Sequence, residues 1–234
     1  MVLGTWVRSS LFAIAVLGCT FDGAAARLIA QGQGVPAALP PLFFREAWKR
    51  PPYTGELNDE NRRMTQDAVT NQNLELKVYG TDAKNVLIAG TAVGDPLAPL
   101  NVWTGLAASP VAVTLRDRTQ YLDLTGNARV RWVTRASSLH VLHPVVKLVD
   151  GTLLVGDHTD APPNEFLQSE FSYARMRWFQ LDPVKVVTTV EVANPDLSKV
   201  DEVGFADLMP GGGHGTAGWI NVGPWELYAK PVKR

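Results

Sequence analysis

One cysteine, Cys19, occurs in 234 residues. It lies in the first 26 residues, which have the pattern of a leader, so a chain that loses them has no thiol. Disulfides are then excluded, and the fold must rest on its apolar core. An excess of charge is missing too. Lys and Arg number 22 against 23 Asp and Glu, a formal net charge of −1. That balance gives no electrostatic reason to expect nucleic acid as a partner. Serine and cysteine nucleophiles lack their setting, because there is no G-x-S-x-G turn and the lone Cys sits in the leader. The glycine run at residues 211–215 is not a phosphate loop. It lacks a Lys-Ser/Thr ending, and no helix follows to supply a positive N-terminus. No helical period is sustained, and no internal repeat is present.

The N-terminus carries Arg8, the apolar run LFAIAVL at residues 11–17 and an Ala24-Ala25-Ala26 cleavage pattern, the parts of a signal peptide. The run is too short to cross a bilayer; the alternative is a short buried helix. Residues 1–26 are therefore expected to be a signal peptide. Residues 27–41, small, polar and Pro-rich, read as a flexible tether. Residues 42–234 read as a single β-sandwich domain, long enough for one sizeable core. The protein is expected to be secreted or periplasmic. Val16-Leu17-Gly18-Cys19 resembles a bacterial lipobox, so anchoring to the cell envelope through lipid on Cys19 is the alternative. Membrane association is expected only in that case.

Turn chemistry is plentiful: 20 Gly and 16 Pro are spread through the chain, as suits many short strands. The stretch at 121–157, YLDLTGNARVRWVTRASSLHVLHPVVKLVDGTLLVGD, holds three apolar runs between two turn signals. It reads as the middle of an antiparallel sheet. Successive strand residues face opposite sides. Ala128, Val130, Trp132 and Thr134 therefore point to the core, and Arg129, Arg131, Val133 and Arg135 point out. In the next run His140, Leu142, Pro144, Val146 and Leu148 are placed inward, and Val141, His143, Val145 and Lys147 join the outward face. Pro144 calls for a bulge or an unpaired edge. Asp150-Gly151 is a hairpin turn leading to a return strand at 152–155.

Elsewhere, strands are expected at 73–79, 86–89, 100–104, 111–115, 166–173, 175–181, 184–190, 200–208 and 219–228. The last two are taken as a hairpin or sheet pair joined by the Gly-rich loop, a mobile tip. The polar segment 49–70 is expected to be a surface connection. Roughly eleven to thirteen short strands fit one sandwich.

Two groups of side chains could contact a ligand. Arg129, Arg131, Arg135, His143 and Lys147 would share one exposed sheet face, where guanidinium groups suit carboxylates, sulfates or sugar hydroxyls; the bland reading is a solvated face with cross-strand ion pairs. Trp103, Trp178 and Trp219, near strand ends, could stack on sugar rings, while Trp132 belongs to the core; core packing is the competing reading for each. No cofactor is expected beyond a structural calcium, for which Asp157 and Asp160 of the loop DHTD are the ligands to consider. His140 and His143, three apart on a strand, face opposite ways and cannot share a metal. The carboxylates Glu165, Glu170, Asp182, Glu191, Glu202 and Asp207 could supply a hydrolytic pair, but only their spacing in the fold would decide it.

Three segments carry a resemblance: YLDLTGNARVRWVTR, the strand ending in Lys-Leu-Val-Asp-Gly, and NPDLSKVDEVGFADLMPGGG through GWINVGPWELYAKPV. They resemble a group of secreted bacterial β-sandwich proteins and, more distantly, the galactose-binding-like jelly rolls of carbohydrate-binding modules. The acidic residue usual before the last strand in that family is replaced here by Gly223-Pro224-Trp225. The resemblance implies an all-β jelly-roll sandwich of two antiparallel sheets that binds a poly- or oligosaccharide without catalysis. The general layout is also similar to concanavalin A-like sandwiches, among which are hydrolases of 3-keto-glycosides. That implies the alternative, a secreted glycan-active hydrolase or lyase. A third reading is a surface lipoprotein with a structural or partner-binding role.

Overall fold

Two-residue alternation builds the strands, and the glycines and prolines between them set the corners. A computed structural model describes residues 39–91, 98–137, 139–163, 165–213 and 218–234. The expected signal peptide, Cys19, most of the expected tether and the centre of the Gly-rich loop lie outside the described residues. Fifteen strands are present among those described: β1 (Leu42–Glu46), β2 (Leu74–Tyr79), β3 (Leu87–Ala89), β4 (Asn101–Trp103), β5 (Val111–Asp117), β6 (Gln120–Asp123), β7 (Arg129–Ser137), β8 (Leu142–Leu148), β9 (Leu153–Gly156), β10 (Leu167–Ser172), β11 (Trp178–Leu181), β12 (Thr188–Val192), β13 (Val200–Asp207), β14 (Trp219–Tyr228) and β15 (Lys230–Lys233). They form two antiparallel sheets, the expected all-β jelly-roll sandwich. The smaller runs β10-β7-β14-β4-β3, with β1 beside the second half of β14. The larger runs β12-β11-β9-β8-β13-β5-β2, with β6 and β15 at the end of β13.

The main core lies between the sheets. Val130, Trp132, Val222, Trp225 and Leu227 of the smaller sheet meet Val113, Leu115, Val146, Val203 and Phe205 of the larger. Truncating a tryptophan such as Trp132 there would remove about 3–5 kcal/mol. The larger sheet has a second, smaller core on its other side. Ala112, Val145, Leu153, Val155 and Ala206 alternate with main-core residues along the same strands, and Val186 packs onto them from the connection between β11 and β12. That is why β9 is apolar at every position: both of its faces are covered.

Three expectations are corrected. The strands at 129–137 and 142–148 are not neighbours, since β7 belongs to the smaller sheet and β8 to the larger. The 138–141 connection carries the chain from one sheet to the other, and buried His140 fixes it through Nδ1, 2.8 Å from Asp207 Oδ2. The 200–208 and 219–228 strands likewise fall in different sheets and form no hairpin. The β-branched run at 184–190 is strand only from Thr188. Val186 has φ 53, a left-handed conformation that side chains branched at Cβ rarely adopt, and is fully buried in the second core. Other expectations hold. β8 and β9 form the Asp150-Gly151 hairpin, and the β9 ladder begins at Val145, leaving the strand unpaired on that side at Pro144.

Strand β14 is the pivot of the smaller sheet. Its register with β7 shifts between Val222 and Trp225, at Gly223-Pro224. Before this bulge it pairs with β4, and after it with β1. A proline inside a paired strand breaks the ladder, and the carbonyls there need donors. The indole N–H of Trp48 supplies them, donating to the oxygens of Val222 and Gly223 at 3.0 and 2.9 Å. Trp48 is fully buried at φ 54, a strained backbone held by the equally buried Glu46. The Glu46 carboxylate accepts the N–H groups of Trp48 at 2.8 Å and Thr70 at 2.8 Å, the Thr70 hydroxyl at 2.7 Å and the Asn71 N–H at 3.1 Å. Such convergent donors are what make a buried charge tolerable.

Glu46→Gln would turn an NH2 group against those donors. It is expected to lower unfolding stability by about 2–3 kcal/mol, the size of a charged hydrogen bond lost to a buried group. Urea denaturation reads this as a lower midpoint at unchanged slope; a midpoint equal to the parent's contradicts the role given to Glu46.

Candidate functional site

On β7 and β14 every second residue faces away from the core, so the outer face of the smaller sheet carries Arg129, Arg131 and Arg135 from one strand and Trp219, Asn221, Glu226 and Tyr228 from the other. Register sets Arg135 of β7, Asn221 of β14 and Trp103 of β4 in one row across three adjacent strands, about 4.8 Å apart strand to strand. Trp219 stands two residues along β14. Trp103, Trp219, Arg135 and Asn221, with Arg62 and Ala89, line an open hollow of about 270 Å³. A second hollow of about 270 Å³ lies between Arg135, Ala136, Ser137 and Trp219. A third, about 190 Å³, opens at the β14 bulge and is rimmed by Arg45, Arg131, Gln168, Pro224 and Glu226.

Three walls of the first hollow, Trp103, Asn221 and Arg135, are held from behind. The Trp103 ring lies on Gly105, where a Cβ would stand 2.3 Å from Trp103 Cζ2; only glycine leaves the indole that seat. Buried Asn221 donates to Asn101 Oδ1 at 2.8 Å, and Asn101 donates to the Pro99 carbonyl at 2.7 Å. Asn221 Oδ1 accepts from Arg135 Nε at 3.2 Å, and the Arg135 guanidinium lies over Phe166, 4.8 Å from the ring centre. Burial pulls the Arg135 pKa below its ordinary value, though a guanidinium stays charged. The other arginines of this face are paired. Arg131 donates to Glu170 at 2.8 Å and approaches Glu226 at 3.5 Å, Arg129 lies 3.2 Å from Glu170, and Arg45 donates to Glu226 at 2.8 Å. Hydrogen bonding to Glu170 raises the Arg131 pKa.

The structure thus gathers five of the expected residues, Arg129, Arg131, Arg135, Trp103 and Trp219, onto one face, and separates three from it. His143 and Lys147 are on the outer side of the larger sheet. Lys147 Nζ donates to Glu202 at 3.1 Å and to the Tyr79 hydroxyl at 3.2 Å. Burial, with Glu202 beside it, pushes the Tyr79 hydroxyl up to about 12. His143 is 3.3 Å from the Gly156 carbonyl, and burial lowers its pKa. Trp178 is 2% exposed, stacked on Tyr173 in the core, away from this face. Asn221, Arg62 and Phe166 were not singled out in the sequence. Asn221 was within reach, because it shares the parity of Trp219 on one strand; Arg62 arrives from a connection whose course no local pattern reveals, and Phe166, expected in the 166–173 strand, stands directly before β10.

Asp157 and Asp160, the calcium pair considered above, are otherwise engaged. Asp157 accepts from Arg177 Nε at 3.0 Å. Asp160 Oδ2 accepts from the Trp132 indole at 2.6 Å and the Ser169 hydroxyl at 2.7 Å, while its backbone pairs with Leu142 of the other sheet. Asp160 therefore ties the two sheets together. Among the described residues no three His, Cys, Asp or Glu side chains converge to hold a metal ion.

No protein-family model matches the chain, and no curated protein matches it in sequence. Among solved structures it is similar to the family 11 carbohydrate-binding module of the cellulosomal cellulase Lic26A-Cel5E of Clostridium thermocellum, with 12% identity over 68% of this chain and 89% of that one and a TM-score of 0.40. It is also similar to an exo-β-agarase, with 10% identity over 70% of this chain and 24% of that one and a TM-score of 0.39. A third is arcelin-5, a lectin-like defence protein of Phaseolus vulgaris, with 11% identity over 69% and 94% and a TM-score of 0.31.

Burial raises the Asp160 carboxyl, but its donors His158, Ser169 and Trp132 outweigh burial and hold it below the ordinary value. Its contribution is therefore complete above the unfolded pKa of about 3.9 and is lost as pH falls through the lower folded value. Asp160→Asn is expected to cost about 1.5–3 kcal/mol at pH 7. The gap to the parent should narrow as pH drops below 4 in urea melts; a gap constant down to pH 2.5 contradicts this account.

Proposed function

We propose that this protein is an exported, non-catalytic glycan-binding sandwich whose binding surface is the outer face of the smaller sheet. One observation carries the reading: Trp103 and Trp219 flank a hollow whose lining also includes Ala89 and the hydrogen-bonding groups Asn221, Arg135 and Arg62. An indole face matches the apolar C–H face of a sugar ring, and amide and guanidinium groups serve its hydroxyls. The site sits on paired strands rather than on connections, so its geometry is set in advance, which limits the ordering cost of binding.

A non-catalytic role is supported by where the acid–base groups lie. None of the described residues lining the hollow is a carboxylate. The His140–Asp207 pair is 1% and 0% exposed in its side chains, deep beneath the surface. Glu202 is taken by Lys147, Tyr79 and Thr114 on the far side of the sandwich.

Native gels cast with a panel of plant and bacterial polysaccharides test the proposal. The parent protein is expected to be retarded by at least one of them. Trp219→Ala and Trp103→Ala should each weaken that retention tenfold or more, as loss of a central aromatic anchor does, with unfolding midpoints near the parent's. Gly105→Ala, which unseats Trp103, should do the same. Retardation by none of the polysaccharides, or retention unchanged in all three variants, overturns the proposal.

A further inference from the structure

We infer that the glycan bound on this face carries an anionic substituent, a carboxylate or a sulfate ester, which seats on the guanidinium of Arg135. The inference rests on the glycan-binding reading above and narrows its ligand class. It starts from a difference among side chains on one strand. Arg129 and Arg131 share Glu170, Arg131 and Arg45 share Glu226, and Arg62 pairs with Asp59. Arg135 points the same way from the same strand, yet no ion pair among the described residues involves it. In the cross-strand position opposite it stands Asn221, an amide.

That amide aligns the guanidinium without neutralising it. Among the described residues only its Nε is committed, to Asn221 Oδ1, and Asn221 is itself fixed by Asn101. Phe166 covers one face of the guanidinium. The group lines both hollows of about 270 Å³, and no carboxylate is among the described residues lining either. Its lowered pKa reflects the same partial burial. Withdrawing a charge from water without a counter-charge is unfavourable. A planar fork of donors left over at such a site fits a carboxylate or sulfate through two parallel hydrogen bonds. With Trp103 and Trp219 beside it, the arrangement receives a sugar ring on the indoles and the ring's anionic group on Arg135.

Isothermal titration with three probes, an oligogalacturonate, a sulfated galactan oligosaccharide and a neutral β-glucan oligosaccharide, tests the inference. The parent should bind one or both anionic probes at least tenfold more tightly than the neutral one. That preference should shrink between 50 and 300 mM NaCl, because salt screens a partly exposed charge. Which anionic probe binds tells carboxylate from sulfate. Arg135→Gln should abolish the preference while unfolding at or above the parent's midpoint, since it removes an uncompensated charge. Arg135→Lys, which keeps the charge but loses the fork, should retain part of it. Equal binding of neutral and anionic probes, with Arg135→Gln indistinguishable from the parent, overturns the anionic inference and leaves glycan binding standing. Binding of none of the three overturns this inference, and the polysaccharide gels then decide whether the broader reading falls with it.

Discussion

The carboxylate of Glu46 and the indole of Trp48 together seal the bulge at Gly223-Pro224, and the outer face of the smaller sheet takes its shape from that bulge. Without donors at the Val222 and Gly223 carbonyls, β14 could not leave β4 and join β1 within one strand. The change of partner puts Trp103 beside Asn221 at one end of β14 and Arg45 beside Glu226 at the other. The first end is aromatic and holds Arg135, a cation in no ion pair among the described residues. The second is an ion-pair network in which three guanidinium groups share two carboxylates. A single backbone irregularity divides the face into these two halves, held by a buried charge whose donors are mostly backbone N–H groups.

The larger sheet answers a different requirement. Its outer side is occupied by a second apolar cluster that Val186 closes from a strained loop, and next to it Lys147, Glu202, Tyr79 and Thr114 satisfy one another. Polar groups so matched keep a sheet face in register and leave few donors for a ligand. The smaller sheet keeps its hydrogen-bonding capacity unspent at Arg135, with aromatic surface around it. The contrast between the two outer faces, one closed on itself and one open, is the physical basis for proposing recognition on the smaller sheet.

Much of this was legible in the chain, and the limits are physical. Alternation is local, so the outward placement of Arg129, Arg131 and Arg135 and the burial of Trp132 followed from residues 128–135 alone. Which sheet a strand joins is not local. The segment at 136–141 resembles a turn between neighbours, but His140 finds Asp207, 67 residues away, and the chain crosses to the other layer. His143 and Lys147 went with it. Trp178 and Trp219 both begin strands; the first points into the core against Tyr173 and the second points away from it, a difference of strand face that the local sequence does not reveal. The left-handed turn at Val186 interrupts a run whose β-branched residues favour a strand, so tertiary packing overrode propensity there.

The most direct test of the account is a two-dimensional NMR titration of the labelled protein with a glycan that retards it in gels, following the tryptophan indole N–H signals. The indoles of Trp103 and Trp219 are expected to shift in a saturable way, while those of Trp48, Trp132, Trp178 and Trp225 stay in place. Saturable shifts confined to backbone signals around Tyr79, Lys147 and Glu202, with Trp103 and Trp219 unmoved, would put the binding surface on the opposite side of the sandwich and contradict it.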